Sequence, residues 1–433
     1  MRMRVEEWQV EQVAGWLLTK RTVARRLELT QDLGSLGRAE YPALHSYYCW
    51  TVLQALTDSP SLTTLHWKLV RRQHVSEIAT ICLADLRLPR LRSLQLQAGS
   101  SLKFRIYPTF HRLTALKDLS IGKDCSLHLS KGCLPRGLTR LDVAVERAHE
   151  VQLLSPLRCA RRLRRLRLLA TDVYSHLDIV PAPAGLPRLG ALTRLELSSD
   201  DLFDPGRVSG LTALRALTLV RAYAEENAVW DFLLHLSRLS SLVLRDCTGA
   251  QHAVPRLVTL PALRRLAIEP ALEASHLEVC RDVHALTQLT ALKLGVALEE
   301  TVPASVWGLP ALQELDVSWS DLEEPLPPPP PRQQLTRLWL HVRQALTHSS
   351  HLPKLTALHT LSLLGVTREE RPLPRHLRRE VVRALSAMPA LRVLRVPSNT
   401  RPELLHSLEV VRQAALVLGD RHLQIVHTTH KGR

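Results

Sequence analysis

The chain has 433 residues and carries a net charge of +16 from 57 basic and 41 acidic residues, with 45% hydrophobic and only 4% aromatic content. Its 88 leucines, about one residue in five, exclude disorder. Seven cysteines, odd in number and without a C-x-x-C pair, exclude a disulfide scaffold, and the length argues against one compact core.

The first ten residues, MRMRVEEWQV, hold no apolar run behind a basic start, so no secretory signal is expected. No stretch approaches the 18 or so apolar residues of a membrane span, and neither asparagine, Asn227 or Asn399, heads a glycosylation acceptor. The expected compartment is the cytoplasm, with cytoskeleton, cilium axoneme and nucleus as alternatives, and not the secretory route. The cysteines are expected to be reduced and mostly buried. Trp8, Val13, Trp16 and Leu17 fall at helical spacing. The segment from Ala24 to Leu29 reads as a degenerate strand. Residues 1–58 are therefore expected to form an N-terminal helical cap with a degenerate repeat.

A repeat then takes over. Leu189 to Leu197 (LGALTRLEL) has the form L-x-x-L-x-x-L-x-L. The segments starting at Leu211, Leu236, Leu260, Leu286, Leu309 and Leu355 repeat it, and looser copies start at Ser59, Leu88, Leu113, Pro135, Ala160, Arg332 and Met388. The second apolar position recurs fourteen times between Leu62 and Leu391, about every 25 residues. The last two leucines of each copy alternate with a polar residue, which puts them on one face of a short strand. One such strand cannot bury its leucines, whereas parallel stacking of neighbours makes a continuous core.

Within the array, Pro327 to Pro331 is a run of five prolines and must be extended; a rigid return loop is favoured over a ligand for a proline-binding module. Arg375 to Met388 reads as a basic helical stretch. After the array, residues 400–433 are expected to form a C-terminal capping helix and short tail. Thr400 to Glu403 has capping-box spacing ahead of Leu404, Leu408, Val411 and Ala415, and Leu423 to Val426 reads as a final strand.

The L-x-x-L-x-x-L-x-L core, carried by residues 59–399 in about fourteen copies, resembles that of the intracellular leucine-rich repeat proteins. The resemblance implies an α/β solenoid, a horseshoe with a parallel sheet on its concave side and mixed helical and extended segments on its convex side. The family usually places Asn three residues after the last ladder leucine. Here that position holds Asn only once, at Asn399, and elsewhere holds residues such as Asp200, Ala222, Cys247 or Ala297. Thr301 to Pro327 comes closest to the plant-type form of the repeat.

No catalytic set emerges. The chain lacks a G-x-x-x-x-G-K-[ST] loop, a G-x-S-x-G elbow and the kinase signatures. The carboxylate pairs Glu299/Glu300 and Glu323/Glu324 are adjacent and read as solvated loops. The H-x-x-H pairs His348/His351 and His427/His430 lack ligands to complete a site. No enzyme activity, cofactor or metal is expected.

Alternation along the strands exposes Arg140, Asp142, Arg165, Arg167, Arg194, Glu196, Arg265, Lys293, Glu314, Asp316, Arg337, Trp339 and Arg395 on the concave face. Nine of these are the expected partner-binding residues: Arg140, Arg165, Arg167, Arg194, Arg265, Glu314, Asp316, Arg337 and Trp339. Arginine and tryptophan are enriched at interface hot spots. Six arginines between Arg158 and Arg167 mark the most basic stretch, although 48 arginines against 9 lysines also fits a compositional skew. The expected function is a non-enzymatic, monomeric protein-interaction scaffold. The alternatives are an F-box-like substrate receptor of a ubiquitin ligase, a cytoskeletal or axonemal repeat protein, and a basic binder of nucleic acid or anionic lipid surfaces.

Overall fold

In the computed structural model, the described residues are 2–6, 10–20, 22–32, 42–70, 78–82, 87–98, 103–107, 110–122, 125–127, 134–145, 157, 160–170, 186, 189–198, 206–222, 227–269, 283–295, 304–317, 334–341, 351–364, 383–385, 387–397 and 424–428. The chain divides into two compact units, Met1–Ala224 and Glu225–Arg433.

The N-terminal unit is a parallel ladder. Its strands are β1 (Arg2–Glu6), β2 (Arg26–Asp32), β3 (Thr64–Val70), β5 (Ser93–Ala98), β7 (Asp118–Ile121), β9 (Arg140–Val145), β10 (Arg165–Ala170), β11 (Arg194–Ser198) and β12 (Ala216–Val220), each paired with the next in that order. A second parallel sheet joins β4 (Ile78–Cys82), β6 (Lys103–Tyr107) and β8 (Cys125–Leu127), which are return segments of the coils begun by β3, β5 and β7. The helix expected near the N-terminus is α1 (Val10–Lys20), with Ala14 and Leu17 buried. A second helix, α2 (Pro42–Leu56), buries Cys49, Val52, Leu53 and Leu56. The ladder begins at β1, inside the segment expected to be a cap.

The C-terminal unit repeats the plan with β13 (Ser241–Arg245), β14 (Arg265–Glu269), β15 (Ala291–Leu294), β16 (Glu314–Asp316), β17 (Arg337–His341), β18 (Thr360–Leu364), β19 (Val393–Pro397) and β20 (Gln424–Thr428), again parallel and in chain order. Short helical turns such as Val254–Leu257 and Ala304–Trp307 lie on the return segments. The proline run 327–331, the stretch 375–382 and the expected capping helix over 404–415 lie outside the described residues; β20 occupies the segment read as a final strand. Among the described residues no helix is long and apolar enough to cross a membrane.

Each of the fourteen copies starts a strand two residues after its second apolar position, seven in each unit, from Leu62 before Thr64 to Leu391 before Val393. The three-residue spacing ahead of the strand has a physical cause. The Leu192 N–H donates to the Leu189 carbonyl and the Leu189 N–H to the Leu186 carbonyl, each at 2.9 Å. Successive i to i+3 turns wind at three residues per turn and stack every third side chain on one side. The same pair of bonds links Val208, Leu211 and Leu214, and Val283, Leu286 and Leu289. The buried motif therefore starts three residues earlier than the sequence pattern suggested, at Phe110, Leu186, Val208, Leu233, Val283 and their equivalents.

Threonine does much of the stapling between coils. Immediately after the second apolar position, Thr63, Thr139, Thr193, Thr290 and Thr336 donate their hydroxyls to the carbonyls of Arg25, Lys117, Arg164, Arg264 and Gln313 in the preceding coil, at 2.8–3.1 Å. At the position where the resemblance implies Asn, Ala222 is buried without a polar group. Cys247 there is also buried, and its thiol donates to the Arg245 carbonyl at 3.3 Å.

Register is exact along the ladder: Leu195 faces Leu166 on one side and Leu217 on the other. Leu217 is fully buried. Leu217→Ala is expected to cost about 2–5 kcal/mol, read as a lower urea midpoint, because rigid neighbours cannot close the cavity.

Candidate partner-binding face

In the N-terminal unit the strands place Arg140, Arg165 and Arg194 side by side in one row, and Asp142, Arg167 and Glu196 in the next. The buried leucines between the rows force both outward. The second row alternates in sign and pairs within itself. Arg167 lies 3.7 Å from Asp142, and its Nε is 3.0 Å from a Glu196 carboxylate oxygen, without the alignment of a hydrogen bond. Arg140 also reaches Asp142, at 3.7 Å. Pairs this exposed contribute about 0.2–1 kcal/mol each.

The first row is different. Arg165 and Arg194 have no acidic partner among the described residues. Strand spacing holds their backbones about 5 Å apart, and like charges in facing positions are destabilising. Arg161, Arg162 and Arg164 are exposed just ahead of this row and add to the positive field.

In the C-terminal unit, by contrast, the first-row arginines share an acid, although exposed Arg395 has no acidic partner among the described residues. Arg265 and Arg337 both hydrogen-bond Glu314, at 3.0 and 2.9 Å. Arg265 reaches across β15, where Ala291 occupies the intervening place in the row. Lys293 lies 2.7 Å from Glu269 and 3.8 Å from Asp316, and Arg245 binds Glu269 at 2.7 Å. Gly295 follows β15, where a Cβ would stand 3.1 Å from the Glu269 side chain, so glycine leaves this acid its place. Burial alone would raise the Glu269 carboxyl, but hydrogen bonds and charge from Lys293 and Arg245 outweigh it and hold the pKa below its ordinary value of 4.5. Trp339 is partly exposed, between Asp316 and Ser362 in its row. Ser362 should also face outward, yet it is 1% exposed, flanked by the larger Trp339 and Arg395.

The nine residues singled out for partner binding stand at outward positions of the sheet, in two groups. Arg140, Arg165, Arg167 and Arg194 share the N-terminal face; Arg265, Glu314, Asp316, Arg337 and Trp339 share the C-terminal one. Sequence reading missed Glu269 and Arg245, which lie one residue beyond the last ladder leucine or isoleucine. Their signal was an outward position extending the same alternation. Among the described residues no group of His, Cys, Asp and Glu side chains could hold a metal ion.

No protein-family profile matches the chain, and no curated protein does. Solved structures similar to it include an internalin from Listeria monocytogenes, at 15% identity and a TM-score of 0.44, covering 90% of this chain and 93% of that one. An LRR protein of Leptospira interrogans is also similar, at 15% identity and a TM-score of 0.42, covering 95% of this chain and 98% of that one. The fold assignment rests on the chain's own ladder: a parallel solenoid of stacked coils of about 25 residues fits a leucine-rich repeat protein.

Two stability outcomes follow from the pairing. Arg167→Glu sets a third carboxylate between Asp142 and Glu196 and is expected to cost about 1 kcal/mol or more, whereas Arg165→Glu relieves its row and should be neutral or stabilising by about 0.2–1 kcal/mol. Equal urea midpoints for the two variants would contradict the pairing. Because the folded pKa of Glu269 is depressed, its stabilising effect is full above the ordinary value of 4.5 and is lost as pH falls through the folded value. The urea midpoint of the wild-type chain should therefore exceed that of Glu269→Gln at neutral pH, and the gap should narrow as the pH falls below the ordinary carboxylate value of 4.5.

Proposed function

We propose that the chain is a non-enzymatic interaction scaffold that holds an acidic protein surface on the N-terminal sheet face. The observation that carries this reading is the row of Arg140, Arg165 and Arg194, in which the last two have no acidic partner among the described residues. Placing like charges in adjacent ladder positions works against folding. An acidic partner converts that cost into charge-assisted contacts, and guanidinium groups suit carboxylates because two parallel N–H bonds can form at once. Solenoids offer such faces as extended binding surfaces. Arg167, clamped by Asp142 and Glu196, keeps the neighbouring row in place rather than meeting the partner.

The C-terminal face suits a different contact. Its Arg265 and Arg337 already share Glu314, and partly exposed Trp339 offers an apolar anchor beside Asp316.

The test is affinity purification of the tagged chain with mass spectrometry at low and moderate salt, beside Arg165→Glu/Arg194→Glu. The expected result is a protein partner rich in exposed carboxylates that survives moderate salt and is lost in the double variant. Recovery of nucleic acid or anionic lipid alone, released by salt, would overturn the proposal, because phosphate contacts weaken steeply with ionic strength.

A further inference from the structure

At the strand-start edge of the N-terminal unit, away from the sheet face, lies a cleft of about 730 Å³. Arg25 and Arg92, which precede β2 and β5, line it together with Arg90. Arg25 and Arg92 hold equivalent positions two strands apart, with Thr63 between them, so their backbones are separated by about 10 Å. Among the described residues no carboxylate lines the cleft, and none of the three arginines has an acidic partner. The hydroxyls of Ser61 and Thr63 donate to the carbonyls of Ala24 and Arg25, at 3.0 and 2.8 Å. Among the described lining residues, the side-chain donors left uncommitted are the three guanidiniums and the Thr22 hydroxyl. Val23 gives the rim an exposed apolar side chain.

We infer that this cleft binds a small molecule carrying at least two phosphate groups. Its volume lies in the range of small-molecule sites. Each guanidinium presents a planar fork that fits two phosphate oxygens. One compact anion would satisfy one fork; three forks over this span require several anionic groups on one ligand. No acid among the described lining residues competes for the arginines.

Calorimetric titration of the full chain with inorganic tripolyphosphate, at roughly physiological salt, tests this. The expected result is saturable one-to-one binding, weakened roughly a hundredfold or more in Arg25→Ala/Arg90→Ala/Arg92→Ala and unchanged in the sheet-face variant Arg165→Ala/Arg194→Ala. Thermal unfolding of each variant without ligand shows whether it is folded, and the milder Arg25→Lys/Arg92→Lys pair keeps the charge while removing two forks. That pair is expected to bind more weakly than the wild type. Full-strength binding by the lysine variant, equal losses in the cleft and sheet-face variants, or no saturable binding would each overturn the site. So would capture by vesicles bearing bisphosphorylated lipid headgroups without any response to soluble tripolyphosphate.

Discussion

A leucine on a lone five-residue strand has nothing to bury against, and that shortage organises the molecule. Each coil offers two inward leucines from its strand and up to three from the turns ahead of it. These side chains leave water only when another coil stacks on either side. The requirement forces the strands to be parallel and in register, since a slip of one residue would turn every leucine outward. It also fixes what is left over. The residues between the inward positions take little part in the core, so their identity is free to serve charge and recognition.

Stacking also needs the coils to be joined at their edges, where backbone groups would otherwise lack partners. The threonine hydroxyls at Thr63, Thr139, Thr193, Thr290 and Thr336 meet that need where each strand begins. The scarcity of asparagine beyond the strands therefore does not leave the coils unstapled. A short β-branched side chain suits this place, because its oxygen reaches back to the carbonyl of the coil before while its Cβ branch stiffens the extended backbone.

The strand positions were legible in the sequence because two simple periods coincide there: alternation within a strand, and recurrence between coils. The upstream buried residue was less visible, since a three-residue spacing across a turn has no ordinary helix or strand period. Segments without the repeat were harder still. RMRVE at β1, IATIC at β4 and KFRIY at β6 are short and carry no ladder leucines, so nothing local ties them to a neighbour. The outward residues of the site were legible from alternation alone, but their pairing was not. Arg245 and Glu269 are 24 residues apart, and Arg265 and Glu314 are 49 apart across an intervening strand. Such partners become neighbours only once the register is known.

Pairing also separates function from composition. An arginine-rich chain will place arginines on its outward positions whether or not they serve a partner, so their abundance alone decides nothing. Two faces of one chain with one composition provide the comparison. On the C-terminal face, Glu269, Glu314 and Asp316 stand where arginines and a lysine can reach them, a single acid serves two cations, and Arg395, without an acidic partner among the described residues, stands beside Ser362 rather than beside another arginine. On the N-terminal face, acids stand in the second row beside Arg167, while the first row keeps Arg165 next to Arg194. Carboxylates are thus available on strands of this unit, and Asp118 stands in the same row beside Arg140. An unneutralised pair in the middle of that row is a property of those positions, and the proposed acidic partner would relieve the repulsion between them.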